Sequence, residues 1–128
     1  MKLLLDTCTF LWYVMASERL SSAAKEAIDN RDNKLFLSAV SAWEIAIKYA
    51  TGRLALTESP PTFVPKYRAM AGIAPLELTE EASLMAAVLP PDHNDPFDRM
   101  LICQAVVNQL TIVTPDPLIA KYRVKVLW

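Results

Sequence analysis

Cysteine is scarce in this sequence, and its two residues, Cys8 and Cys103, lie far apart in apolar segments. They lack the paired spacing of a zinc site or a redox motif. We therefore expect two reduced core thiols in a cytoplasmic protein.

Long apolar runs are also absent. No segment reaches the roughly 18–20 uncharged apolar residues that a membrane helix needs. Asp6 interrupts the apolar start at residues 3–5 before it attains the length of a signal-peptide core. The apolar content of 53% then indicates a large core, and we expect residues 1–128 to form one domain that does not cross a membrane.

A basic excess is missing as well, since the net charge is −1, whereas nucleic-acid-binding proteins are usually basic. Four of the acidic residues are candidates for a metal site, and without their four negative charges the remainder carries +3. A bound divalent cation would add positive charge where a phosphate binds. The net charge therefore does not exclude a nucleic-acid substrate.

Short apolar segments alternate with segments of helical periodicity. The apolar runs predict strands at 2–5, 34–37, 75–78, 110–114 and 124–127. The helical periodicity covers 9–16, 22–30, 39–50, 62–71, 79–89 and 96–109, and Gly52 and Gly72 suit left-handed caps after two of these helices. Such alternation predicts a mostly parallel sheet between two helical layers, a three-layer α/β/α fold.

Two aspartates follow predicted strands. Asp6 comes directly after the first strand, and Asp116 follows the strand at 110–114 in the sequence TPDPL. The carboxyl ends of strands are where open α/β sheets bind ligands. Helix capping explains either residue equally well, and Thr114 is an alternative cap for the turn near Asp116.

Glu44 is the only acid in the apolar helical segment VSAWEIAIKYA. It shares one helix face with Ser41 and Lys48. An ion pair with Lys48 explains this pattern structurally. A face directed at the carboxyl edge of the sheet explains it functionally, with Lys48 within reach of a phosphate.

The segment DPFDR begins the helix predicted at 96–109. Asp95 suits the N-cap and Pro96 the first helical position. Capping explains Asp98 less well, because Asp reaches back to the cap less readily than Glu or Gln. We therefore count Asp98 as a site candidate and Asp95 chiefly as a cap.

A doubly wound sheet would bring Asp6, Glu44, Asp98 and Asp116 to the same edge. Converging carboxylates repel one another unless a cation lies between them. Oxygen ligands without a His or Cys pair favour a hard ion, Mg²⁺ or Mn²⁺. Because such an ion activates water and stabilises charge on a phosphodiester, the cluster predicts metal-dependent phosphoryl transfer.

Three residues close in sequence to these acids are not counted as site candidates. We expect His93, the single histidine, to be a solvent-exposed loop residue. Arg99 is expected to pair with an acid, with a phosphate contact as the alternative. Trp43 is expected to lie in the core, with a groove for a partner as the alternative.

The sequence fits poorly with one other class of enzyme and with one class of signalling domain. A haloacid-dehalogenase-like phosphatase needs a second Asp two residues after Asp6, where this chain has Cys8. A receiver-type signalling domain needs paired acids at the first strand. A non-catalytic protein-binding or RNA-binding scaffold remains the alternative.

These motifs resemble the PIN domain family, and in particular the VapC-type toxins of bacterial and archaeal toxin–antitoxin pairs. The similarity covers nearly the whole chain, through the successive segments LLLDTCTFLW, SAWEIAIK, HNDPFDRMLICQA, TPD and KVLW.

The resemblance implies a single PIN domain over residues 1–128 with a five-stranded parallel sheet in the order 3-2-1-4-5. It also implies a Mg²⁺- or Mn²⁺-dependent endoribonuclease that forms a homodimer and is inhibited by a small antitoxin protein covering the helices and the acidic site. The catalytic and metal-binding quartet would be Asp6, Glu44, Asp98 and Asp116. Around it, Thr7 and Thr114 would orient the ligands, and Asp95 would be a secondary acid.

Overall fold

A computed structural model describes residues 1–128 and shows the predicted alternation of strand and helix. The strands are β1 (Lys2–Leu5), β2 (Lys34–Ser38), β3 (Ile73–Leu76), β4 (Thr111–Val113) and β5 (Lys125–Leu127). The helices are α1 (Thr7–Val14), α2 (Ser22–Asp29), α3 (Ala39–Ala50), α4 (Pro60–Met70), α5 (Glu80–Met85) and α6 (Pro96–Asn108). Two 3₁₀ turns occupy Ala86–Val88 and Ile119–Lys121.

The five strands form one parallel sheet in the order β3-β2-β1-β4-β5. The central strand β1 is buried on both faces, which explains why its apolar run does not alternate with polar residues. Leu3 and Leu5 belong to the core on one face of the sheet, and Leu4 belongs to the core on the other. The predicted three-layer fold and its strand order are therefore confirmed.

The differences from the predicted boundaries have local causes. Helix α1 begins at Thr7, two residues earlier than predicted, because the Asp6 side chain accepts a hydrogen bond from its first backbone N–H. Strand β3 begins at Ile73 because Gly72, in the left-handed conformation with φ 68°, turns the chain directly from α4 into the sheet. None of the helices combines the length and apolar character needed to span a bilayer.

A buried amide connects the helices that carry Glu44 and Asp98. The Gln104 side chain of α6 accepts a hydrogen bond of 2.5 Å from the Ser38 hydroxyl and donates one of 3.2 Å to the Glu77 carbonyl. The Ser38 hydroxyl also caps α3 by accepting from the backbone N–H of Val40. One completely buried side chain thus fixes α6 against the start of α3.

Replacing Gln104 by leucine should lower the free energy of unfolding by about 1–3 kcal/mol, because buried polar partners would lose their hydrogen bonds. Urea denaturation followed by circular dichroism measures this change. The control is Asn108→Leu, which removes a half-buried amide from the same helix and should have a smaller effect. Equal losses in both variants would contradict this role of Gln104.

Candidate active site

The carboxyl edge of the sheet carries a cleft of about 360 Å³. The four acids predicted from the sequence all line it, although they come from the ends of β1 and β4 and from helices α3 and α6. The basic residues Lys48 and Arg53 line the same cleft. The complete acidic lining consists of Asp6, Glu44, Asp95, Asp98 and Asp116.

Asp6 lies at the end of β1 and is 6% exposed. Its Oδ1 accepts from the backbone N–H of Thr7 at 2.7 Å, and its Oδ2 accepts from the Thr114 hydroxyl at 2.6 Å. Burial raises the pKa of Asp6, while these two hydrogen bonds oppose that rise. Asp6 therefore both caps α1 and contributes to the cleft, so the two interpretations of this residue are compatible.

Glu44 is held at both carboxylate oxygens. Its Oε1 accepts from the Thr7 hydroxyl at 2.8 Å, and its Oε2 forms an ion pair of 2.5 Å with Lys48 Nζ. The hydrogen bond to Glu44 raises the pKa of Lys48. The predicted ion pair is present, and Thr7 connects the start of α1 to the acid on α3.

Asp98 is the acid whose ionisation is most hindered. Burial and then the negative charges of Asp6, Asp95, Glu44 and Asp116 raise its pKa to about 8. Its backbone N–H faces the Asp95 carboxylate, which caps α6 as predicted by accepting from Phe97 at 2.9 Å. Burial and the neighbouring negative charges therefore both oppose ionisation of Asp98.

Asp116 follows β4 and is fixed by its own turn. Its backbone N–H donates to the Thr114 hydroxyl at 3.1 Å, and its Oδ1 accepts from the backbone N–H of Leu118 at 2.9 Å. Thr114 therefore contacts two of the acids, because its hydroxyl also donates to Asp6. Asp116 therefore both caps the turn after β4 and lines the cleft.

His93 belongs to this cluster, and the prediction that it is exposed was wrong. The side chain is buried, with Nε2 at 2.7 Å from Asp116 Oδ2 and 3.1 Å from Asp98 Oδ2. The only hint in the sequence was its position two residues before Asp95 in HNDPFDR. Its burial depends on contacts with distant residues that no local pattern predicts.

Two other predictions were also wrong. The Arg99 guanidinium pairs with no acid and instead donates to backbone carbonyls in the preceding loop, because the loop folds around it. Trp43 is 61% exposed rather than part of the core. Its ring packs edge-on against Phe97, with 5.2 Å between the ring centroids.

The donor set of the cleft fits a hard divalent cation. Carboxylate oxygens are the ligands that Mg²⁺ and Mn²⁺ prefer. Cys8 also lines the cleft, but a thiolate is a soft ligand that suits these hard ions poorly, and burial and then the charge of Asp6 raise the pKa of its thiol to about 12. A cation would relieve the repulsion among the acids, which adds to burial in raising the pKa of Asp98.

This combination of an open parallel sheet and an acidic cleft at its carboxyl edge defines an α/β protein with a candidate ligand site where such sheets bind their ligands. A family model described as "PIN domain" matches residues 3–125. The chain belongs to the PIN domain family.

A curated relative, Ribonuclease VapC22 of Mycobacterium tuberculosis, is 27% identical over 121 residues, which cover 94% of this chain and 91% of the relative. Among solved structures, VapBC2 from Rickettsia felis, bound to a DNA fragment from its promoter, aligns with a TM-score of 0.73 at 10% identity, covering 98% of this chain and 97% of that chain. VapBC-1 from nontypeable Haemophilus influenzae aligns with a TM-score of 0.63 at 17% identity, covering 98% and 96%. At these identities the structural matches establish the shared fold.

The Asp98→Asn variant should be more stable than the wild-type protein at alkaline pH when metal is removed with EDTA. The folded state favours the protonated carboxyl of Asp98, because its folded-state pKa is raised to about 8. This stabilising contribution is fully present below the unfolded-state pKa of roughly 4, and it is lost as the pH rises through about 8. We expect the variant to gain at least about 1 kcal/mol at pH 8–9, or roughly 4 °C in Tm, and less towards pH 5.

Thermal denaturation between pH 5 and 9 measures this difference. The control is Asp92→Asn, which removes an exposed acid from the loop before α6 and should leave Tm nearly unchanged. A difference between Asp98→Asn and wild type that does not grow with pH would show that Asp98 is not in a crowded acidic site.

Proposed function

We propose that this protein is a metal-dependent endoribonuclease of the VapC type, the toxin component of a toxin–antitoxin pair. The observation that carries the proposal is the convergence of four acids, from separate parts of the chain, in one cleft. Membership of the PIN domain family and the ribonuclease name of the relative support the same reaction class.

In this proposal Asp6, Glu44, Asp98 and Asp116 hold Mg²⁺ or Mn²⁺. When bound, the ion supplies an activated water molecule and stabilises the charge that develops on the phosphodiester. Thr7 and Thr114 act through the carboxylates, because their hydroxyls donate to Glu44 and Asp6 respectively.

Basic residues beside the acids suit an RNA phosphate. Lys48 and Arg53 line the cleft, and the Lys48 side chain is 39% exposed although its Nζ contacts Glu44. An exposed ammonium at the margin of the cleft attracts the phosphate backbone without reading the base. In this proposal the acids hold the metal, and the side chains of Lys48 and Arg53 orient the substrate.

Asp95 has a supporting role. Its carboxylate accepts from the backbone N–H groups of Phe97 and Asp98, at 2.9 and 3.5 Å. These bonds fix the first turn of α6 and, with it, the direction of the Asp98 side chain. We therefore place Asp95 among the residues that organise the site.

The proposed partners are a small antitoxin protein and a second copy of this chain. The similar solved structures are VapBC pairs by name, which supports an antitoxin partner for this chain. In our proposal, as the family resemblance implies, the antitoxin covers the helices and the acidic cleft. The exposed ring of Trp43, which packs against the half-buried Phe97 and is adjacent in sequence to Glu44, suits a homodimer contact. The two free cysteines agree with the reducing cytoplasm.

Purified protein, free of any antitoxin, should cleave structured RNA in Mg²⁺ or Mn²⁺ but not in EDTA. The Asp98→Asn and Glu44→Gln variants should lose at least about 100-fold in rate, the effect that loss of one electrostatic stabiliser has in other active sites. Gel analysis of labelled RNA measures the rates, and Asp92→Asn serves as the matched control because its side chain is exposed outside the cleft.

Two results would contradict the proposal in different ways. Equal cleavage by wild type and Asp98→Asn would remove the assignment of the site. No cleavage of any RNA by protein that binds metal would favour the alternative of a non-catalytic protein-binding or RNA-binding scaffold.

A further inference from the structure

The buried imidazole of His93 lies between two acids of the cleft and is neither one of the four proposed metal ligands nor one of the hydroxyls that orient them. Its Nε2 is 2.7 Å from Asp116 Oδ2 and 3.1 Å from Asp98 Oδ2. One potential ligand atom from each of His93, Asp98 and Asp116 lies within 4.8 Å of the others. Such a trio is compatible either with direct coordination by His93 or with hydrogen bonding to the two acids.

The opposite side of the ring distinguishes these two roles. The backbone N–H of Asp95 donates to His93 Nδ1 at 3.1 Å. An N–H group donates only to a ring nitrogen that carries no hydrogen, so the hydrogen of the neutral imidazole is on Nε2. In this tautomer Nε2–H is a donor directed at the carboxylates and has no lone pair available for a cation.

The surrounding loop holds the ring in this orientation. The backbone N–H of His93 donates to the Tyr122 hydroxyl at 2.8 Å, and that hydroxyl donates to the Pro90 carbonyl at 2.6 Å. Arg99 donates to the carbonyls of His93 and Pro90 at 3.1 and 2.9 Å. The same guanidinium reaches the carbonyls of Ala86 and Leu89, which closes the loop around it.

The other hydrogen bond of Asp116 leaves one of its carboxylate oxygens to accept from His93. Asp116 Oδ1 is already held by the backbone N–H of Leu118. The contact with His93 therefore fixes the second oxygen of Asp116, and it also reaches Oδ2 of Asp98 on α6. One N–H group thus joins acids that come from two different elements of the fold.

We propose that His93 is a positioning residue of the acidic site, which holds the carboxylates of Asp98 and Asp116 together through Nε2–H and does not itself bind the metal. This inference rests on the proposed function, since it concerns the same site. Coordination by His93 would move the hydrogen to Nδ1, where it would face the N–H of Asp95 and break that hydrogen bond.

The tautomer is directly measurable, because His93 is the single histidine of the chain. We would record long-range ¹H–¹⁵N correlation spectra of the imidazole in protein without a histidine tag, at pH 8, before and after saturation with Mg²⁺. The expected result is a hydrogen on Nε2 alone in both states. A hydrogen on Nδ1 in the metal-free protein, or a shift from Nε2 to Nδ1 on addition of Mg²⁺, would overturn the proposal.

Two substitutions test the positioning role through metal affinity rather than activity. His93→Gln retains an N–H donor at comparable reach, whereas His93→Leu removes the donor. We expect the Mn²⁺ dissociation constant, measured by electron paramagnetic resonance, to stay within about 3-fold of wild type for Gln and to rise about 10-fold or more for Leu. Equal affinities in all three proteins, or equal losses in both variants, would contradict the proposal.

The outcomes also separate this inference from the proposed function. A wild-type protein that binds neither Mg²⁺ nor Mn²⁺ would refute the metal-dependent reaction. A wild-type protein that binds the ion and moves its imidazole hydrogen to Nδ1 would refute only the role of His93. The spectra require no variant, so unfolding of His93→Leu would not prevent the test.

Discussion

Mutual repulsion among buried and half-buried carboxylates is the physical constraint on which the carboxyl edge of this sheet depends. The acids come from the ends of β1 and β4 and from α3 and α6, and the protein compensates them unequally. Glu44 has an ammonium partner, Lys48, whereas Asp6 has only neutral donors at its two oxygens. Burial and then the charges of the other acids raise the pKa of Asp98 to about 8, and no lysine or arginine pairs with it. A divalent cation is the partner that would complete this arrangement.

The fold prepares the site through the same contacts that begin its helices. Asp6 caps α1 and Asp95 caps α6, so the first turns of both helices are fixed by acids of the cleft. Between the layers, Gln104 connects α6 to the residue that caps α3. Capping and site formation are therefore not competing explanations of these acids, because a parallel sheet places helix starts at its carboxyl edge.

Much of this organisation could be predicted from the sequence. The uninterrupted apolar run of β1 indicates a strand buried on both faces, and the acids that follow strands are expected to meet at one edge. The acidic quartet follows from these positions and from the acids near two helix starts, whereas the strand order depended on the resemblance to the PIN domain family. The family model and the parallel sheet confirm the family and the fold, whereas the roles of the individual acids remain predictions.

What could not be predicted depends on contacts between distant residues. His93 is buried because Arg99 gathers the loop carbonyls and Tyr122, 29 positions along the chain, accepts its backbone N–H. Trp43 has mostly apolar neighbours in the sequence, as a core residue would, but it lies on the outer side of α3 and packs against Phe97. Periodicity identifies the apolar face of a helix less well when nearly every neighbour is apolar, as in VSAWEIAIKYA.

The most direct test of the account is the binding of Mn²⁺ to the purified protein, measured by electron paramagnetic resonance in wild type and in Asp6→Asn. Asp6 accepts two hydrogen bonds at the base of the cleft, and the amide retains its shape while removing its charge. Wild type should bind Mn²⁺ saturably, and the affinity of the variant should be lower by at least about 10-fold. Equal binding by the two proteins, or none by wild type, would contradict the central claim that these carboxylates form a single cation site.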